Sequence, residues 1–81
     1  MLRFRIDCGD GWYRAMCPEL HVYGGGQSRE EAKQSLFEAA RVTAKYVAGL
    51  TAARNEPRLP YARVVLSHWS DVESVFEDAS E

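Results

Sequence analysis

From Leu2 to Cys8 apolar and polar residues alternate, Leu2, Phe4, Ile6 and Cys8 against Arg3, Arg5 and Asp7. Successive side chains of a strand point to opposite faces, so this period predicts a strand with one buried and one wet face. Gly9-Asp10-Gly11 then supplies residues that tolerate positive φ, as a tight hairpin requires, and predicts that Trp12 to Cys17 returns antiparallel beside the first strand. The second strand carries bulk on both faces: Trp12 and Met16 on one, Tyr13, Ala15 and Cys17 on the other, with Arg14 its only charge. Such a strand either sits centrally in a sheet or has its outer face covered by a partner. Pro18 ends it, because proline lacks a ladder donor and biases the residue before it away from helix. His21 to Gly24 is expected as a short third strand, and Gly24-Gly25-Gly26 as the turn into a helix, since glycine weakens a strand interior.

The helix start is signalled at Ser28, whose hydroxyl can cap the first turn while Glu31, three residues on, reaches back to complete a capping box. Glu30 and Glu31 also suit the positive end of the helix dipole. The helix is expected to run from Arg29 to about Leu50, with Gly49 near its C-terminal cap. At 3.6 residues per turn, Ala32, Leu36, Ala39, Ala40, Thr43, Tyr46, Val47 and Leu50 share the face that packs on the sheet, with Arg41 and Lys45 opposite. Phe37 and Val42 fall at the two edges of that stripe and are the candidate subunit contacts.

Thr51 to Pro60 is polar and reads as a connecting loop, long enough to cross back over the sheet. Tyr61 to Ser67, with the β-branched pair Val64-Val65, is predicted as the fourth strand. Ser70 and Glu73 repeat the capping-box spacing, and Val72, Val75, Phe76 and Ala79 share one stripe, which predicts a short acidic amphipathic helix over 70–81. The expected fold class is α+β: a β-β-β-α-β core, with an antiparallel three-stranded meander plus a fourth strand and one long helix packed on the sheet, over residues 1–69, and the short C-terminal helix belonging to the same domain.

Composition narrows the function classes. Eighty-one residues form one domain whose single core is marginal alone, so an oligomer is expected. No apolar run reaches membrane-spanning length, and the start MLRFRIDCGDG alternates where a secretory signal would be continuously apolar, so a cytoplasmic protein is expected. The net charge of −2 is uneven: Met1 to Trp69 holds 10 Lys and Arg against 7 Asp and Glu, while Ser70 to Glu81 holds five acids and no base. A body so mildly basic lacks the footprint of a dedicated nucleic-acid binder, and direct DNA binding is not expected.

The residues with metal-ligand chemistry are Cys8, Cys17, His21 and His68. Pro18 separates Cys17 from His21, and no second ligand pair completes a tetrahedral site, so two free thiols and no metal are expected. Cys17 also lacks the base and orienting acid that would activate a nucleophile. Asp7, Asp10 and Glu19 could form a carboxylate cluster for Mg²⁺-dependent phosphodiester chemistry; the competing reading is a solvated strand residue, a turn aspartate and a loop acid. Arg3, Arg5 and Arg14 interleave with Tyr13 and Tyr23, a composition that also suits stacking and phosphate contacts with single-stranded RNA.

One stretch, Trp12 to Ala32, resembles the HicB family of antitoxins. The family pattern joins a Gly-containing hairpin, a "G-Y-x-A-x-x-P-D-L" segment and a Ser/Thr-x-x-E-A helix start. Gly11-Trp12-Tyr13-Arg14-Ala15-Met16-Cys17-Pro18-Glu19-Leu20 matches the first part, and Gly26-Gln27-Ser28-Arg29-Glu30-Glu31-Ala32 the second. Element order agrees from Met1 to about Leu66, although His21 to Gly25 is shorter than the usual form. The resemblance implies a partial RNase H-like fold without nuclease activity or cofactor, acting as a binding module that sequesters a small HicA-like RNA-cleaving toxin. Many relatives append a helix-turn-helix or ribbon-helix-helix module; Ser70 to Glu81 is too short and acidic for either, so operator binding is not carried over. The residues expected near the partner surface are Trp12, Tyr13, Glu19 and Tyr23. The alternatives from other classes are a relic metal-dependent nuclease using Asp7, Asp10 and Glu19, and a non-catalytic RNA-binding domain.

Overall fold

In the computed structural model, which describes residues 2–49 and 56–80, the alternating N-terminal segment forms strand β1, Leu2–Gly9. Leu2, Phe4 and Ile6 are buried and Arg3, Arg5 and Asp7 exposed, as the period requires; Cys8, beyond the reach of the core, is exposed. β2, Trp12–Cys17, returns antiparallel with Gly9 opposite Trp12. Both residues of the intervening turn, Asp10 and Gly11, have positive φ (54° and 75°), the backbone that matches the twist of a two-residue hairpin. After Pro18 the chain turns through a His21 N–H to Pro18 C=O hydrogen bond of 3.3 Å and enters β3, Val22–Gly26, antiparallel to β2.

Here the structure corrects one expectation. Gly24, Gly25 and Gly26 are not a turn; they pair with Ala15, Arg14 and Tyr13 inside the ladder. Their lack of side chains is used differently on the two faces. A Cβ on Gly24 would run into the backbone of Ser35 and Leu36, and one on Gly26 into Glu31 and Ala32. The helix therefore lies directly on the strand. Gly25 faces the other way, and the Trp12 indole covers it.

That helix is α1, Arg29–Ala48. Ser28 caps it, its Oγ accepting the Glu31 N–H at 3.1 Å, while the Glu31 carboxylate reaches back to the Gln27 N–H at 2.8 Å, one residue beyond the usual capping-box partner. Ala32, Leu36, Phe37, Ala40, Ala44 and Val47 are its buried residues. Ala39 and Thr43 are half-buried, and Tyr46, expected on the packed face, lies on its flank and is exposed. Phe37, expected at a partly exposed edge, is interior, and this removes it as a subunit contact. Leu50 and the first half of the predicted loop, 51–55, fall outside the described residues.

The second correction concerns the return to the sheet. Tyr61 to Ser67 is not a strand but part of helix α2, Leu59–Ser67, which packs on α1 through Ala62 and Val65. Pro60 stands in its first turn, where a missing N–H is harmless. The region predicted as a C-terminal helix is a 3₁₀ segment, Trp69–Val75, followed by strand β4, Phe76–Asp78. Val72, Val75 and Phe76 are buried as their stripe predicts. The Ser70–Glu73 box does not form, and Asp71 has non-helical torsions (φ −140°, ψ 44°) that break the turn.

β4 runs parallel to β1, Leu2 opposite Phe76, and completes a mixed sheet of order β3-β2-β1-β4. The following residues continue along β1: Ala79 N–H donates to Phe4 C=O at 2.7 Å and Ile6 N–H to Ser80 Oγ at 2.8 Å. Phe37 is buried because β4 fills the space beside β1. Phe4, Phe37 and Phe76 form a three-ring cluster with centroids 5.1 to 6.2 Å apart, joining β1, α1 and β4. The fold is thus α+β, a four-stranded mixed sheet with one long helix packed on it and a short second helix packed on the first. Among the described residues no helix is long and apolar enough to cross a membrane.

Candidate binding surface

Among the described residues, helix packing covers only one face of the sheet. Alternation puts Arg3, Arg5 and Asp7 of β1, Trp12, Arg14 and Met16 of β2, and Tyr23 and Gly25 of β3 on the face away from α1. Trp12 is 51% and Tyr23 62% exposed, while Met16, on the same face, is half-buried. Tyr23 stands opposite Met16, and the Trp12 indole leans over Gly25, two residues along β3. Together they make an apolar strip along the β2–β3 side.

Charges occupy the β1 side. Arg14 stands opposite Asp7, and Arg3 opposite Glu77 of β4; Arg5 has Met16 across from it and no acid. None of the three arginines makes an ion pair within 4.0 Å among the described residues. Two shallow grooves score this face. One, about 410 Å³, is lined by Arg3, Arg5, Pro18, Glu19 and Ala79; the other, about 340 Å³, lies at the hairpin end beside Asp7, Trp12 and Arg14.

The four residues expected at the partner surface do not act as one group. Trp12 and Tyr23 share the open face. Tyr13, its neighbour in sequence, points to the opposite side and packs against the core. Glu19 is occupied within the fold. Its carboxylate accepts the Arg3 N–H at 3.4 Å, where β2 has ended and the ladder offers β1 no further acceptor, and accepts the Cys17 thiol at 3.5 Å. Met16, not expected at the partner surface, and Arg5, expected only among the arginines suited to RNA contacts, complete the face; the alternation of β1 and β2 already placed them there. Val42 is exposed on the outer side of α1, away from the sheet.

No nucleophile or metal centre is assembled among the described residues. Burial and the Glu19 carboxylate push the Cys17 thiol up to about 11, so it stays protonated. Cys8 is opposite Tyr13 rather than Cys17, and both cysteines are free. Glu19 lies beside Arg3, four residues along β1 from Asp7, a separation of about 13 Å at the rise of a strand. Asp10 sits further on, in the hairpin turn. The three carboxylates therefore cannot share a cation, and no group of three or more His, Cys, Asp or Glu side chains among the described residues is placed to hold one. The free edge of the sheet is also partly closed: the Gly25 N–H donates to Ser35 Oγ at 3.2 Å and the Gln27 N–H to Glu31, so side chains of α1 take donors that an added strand would need.

No known protein family, curated protein sequence or solved structure matches this chain.

Proposed function

We propose that the protein is a HicB-like, antitoxin-type binding module of the cytoplasm, which sequesters a small HicA-like RNA-cleaving toxin on the open face of its sheet. The observation that carries the reading is the uncovered strip of Trp12, Met16 and Tyr23 with Arg3, Arg5 and Arg14 beside it. Trp, Tyr, Met and Arg are the residues that protein interfaces enrich, and the first, second and last of these dominate binding hot spots. Three antiparallel strands, a long helix and a later fourth strand are consistent with the β-β-β-α-β arrangement that the sequence resemblance implies, with α2 standing where the fourth strand was expected.

Single-stranded RNA is the competing occupant, since stacked bases and phosphates also suit aromatics and arginines. The charges weigh against it. Asp7 and Glu77 stand opposite Arg14 and Arg3, which leaves Arg5, among these three arginines, without an acid as its cross-strand partner among the described residues. A single neutralised phosphate gives a slope of log affinity on log salt of about −0.7, where RNA-binding surfaces engage several. A nearly neutral face is compatible with a basic protein partner. The metal-dependent nuclease reading requires Asp7, Asp10 and Glu19 to converge, and they lie apart.

The test is co-purification with the product of the adjacent reading frame, followed by calorimetry and an RNA-cleavage assay. A complex that suppresses cleavage is expected, with Trp12→Ala and Tyr23→Ala each weakening it by about 2 kcal/mol, roughly thirtyfold. Both side chains are more than half exposed, so stability changes by less than about 1 kcal/mol. The reading is overturned if no small RNA-cleaving protein binds, or if the double variant binds as the parent does.

A further inference from the structure

On the side of the molecule opposite the open sheet face, α1 presents an outer stripe at Gln34, Glu38, Val42, Lys45 and Gly49, all exposed. The spacing of four, four, three and four residues keeps these positions in line along the helix, as in a helix-pairing seam. Val42, 67% exposed, stands at its middle. Beside it lies Trp69, with the Lys45 ammonium 5.6 Å and the Arg41 guanidinium 5.8 Å from its ring centroid and its carbonyl accepting Arg41 Nε at 3.1 Å. Glu38, Arg41, Val42, Lys45, Trp69 and Ser70 line a groove of about 400 Å³.

The charges of this stripe are self-complementary. Glu38 and Lys45 are seven residues apart, two helical turns, with Val42 between them. Glu38 bonds Arg41 within the chain at 3.4 Å, whereas Lys45 has no carboxylate within 4.0 Å among the described residues. A two-fold axis crossing α1 between Arg41 and Val42 lays a second α1 antiparallel on the first. That operation puts Glu38 level with Lys45 of the partner subunit and Lys45 level with Glu38 of the partner subunit. Gln34 comes level with the partner's Gly49, where the missing side chain leaves room.

We propose that the outer face of α1 is a homodimer interface, its occupant a second copy of this chain, held by Val42 packing at the axis and by two reciprocal Glu38–Lys45 contacts. A parallel arrangement would set Glu38 against Glu38 and Lys45 against Lys45, so the charges select the antiparallel one. The seam from Gln34 to Gly49 is about 22 Å long at the rise of a helix. The dimer's two open sheet faces point outward, and it uses none of the residues that the proposed toxin contact uses.

The experiment is sedimentation velocity on the full chain and on Glu38→Lys and Lys45→Glu, each alone and mixed in equal amounts. Each reversal alone replaces two attractive contacts by two repulsive ones and weakens association by about tenfold or more. In the mixture every contact is again between opposite charges, and dimers return at the parent's concentration. Circular dichroism verifies that both variants, altered only at exposed positions, keep the parent's helix content. A parent chain that stays monomeric at millimolar concentration overturns the proposal; so do single reversals that dimerise like the parent, or a mixture that fails to associate.

Discussion

Adding one methyl group at Gly24 tests the reason for three consecutive glycines in a strand. Built on the native backbone, a Cβ there falls within 2.7 Å of Leu36 Cα and 2.8 Å of the Ser35 carbonyl carbon. Both are main-chain atoms of α1, so the helix itself must move, and it is held by the buried Leu36 and Phe37. Overpacking of this kind costs about 1–3 kcal/mol, and the backbone obstacle places Gly24→Ala at the upper end. Loss of unfolded-state entropy returns only about 0.4–1 kcal/mol. The expected net is a destabilisation of about 2 kcal/mol, or a melting temperature lower by about 8–16 °C in a domain of this size. Gly25→Ala is the matched control. Its Cβ meets the Trp12 indole at 2.9–3.1 Å, the end of a side chain that can swing into solvent, so its net change is within about 1 kcal/mol of zero. Both variants share strand propensity and entropy terms, and the difference between them isolates helix contact. Urea unfolding followed by circular dichroism measures both. A Gly24→Ala variant as stable as the parent, or a Gly25→Ala variant that is the worse of the two, refutes the close-approach argument.

Three further outcomes are expected. Phe37→Ala, which empties the ring cluster joining β1, α1 and β4, lowers stability by about 3–5 kcal/mol, a large share of the roughly 4–12 kcal/mol available to a chain this long, and urea midpoints read it directly. At pH 8 a thiol reagent modifies exposed Cys8 quickly and buried Cys17 only on unfolding; because the Cys17 thiol is raised from 9.0 to about 11, the stability it contributes is complete below pH 9 and is lost as pH rises from 9 to 11. The side chain and backbone N–H of Arg58 hold the Glu56 carboxyl down at about 2, against an ordinary 4.5, so its contribution is present above pH 4.5 and disappears as pH falls toward 2. Glu56→Gln therefore flattens that part of the acid limb, and an NMR titration of Glu56 with a midpoint near 4.5 would contradict the pairing.

Local signals located the first half of the fold and failed in the second for identifiable reasons. The alternation of Leu2, Phe4 and Ile6, the Asp10-Gly11 turn and the Ser28 cap depend on neighbours in sequence, and each lies where its pattern put it. Val64-Val65 suggested a strand by propensity, yet Ala62 and Val65 are three apart and Pro60 sits where a helix begins; packing against α1 outweighed β-branching. β4 is three residues long, two of them acids that disfavour strands, so nothing local marks it. Its pairing with β1 is a long-range effect, and Phe37, whose cover comes from that strand, was misjudged with it. On the open face, Trp12 and Tyr23 were legible as bulk without a core to join. Tyr13 was not, because the side it points to depends on which face α1 covers, and Glu19 was not, because its partners are a ladder end and a thiol that only the folded hairpin brings together.

The pairing of Leu2 with Phe76 also bears on the order of assembly. The β1–β2 hairpin closes over two residues, whereas β4 must be brought to β1 from 74 positions away, an entropic disadvantage of about 3 kcal/mol by loop-closure scaling. The hairpin, β3 and α1 can therefore form a nucleus first, leaving Phe4 and Phe37 with an open flank until Phe76 arrives. In the native state the same asymmetry makes the β1–β4 seam the first to open, and its amides, Ile6 and Ala79 among them, exchange with solvent ahead of those between β1 and β2.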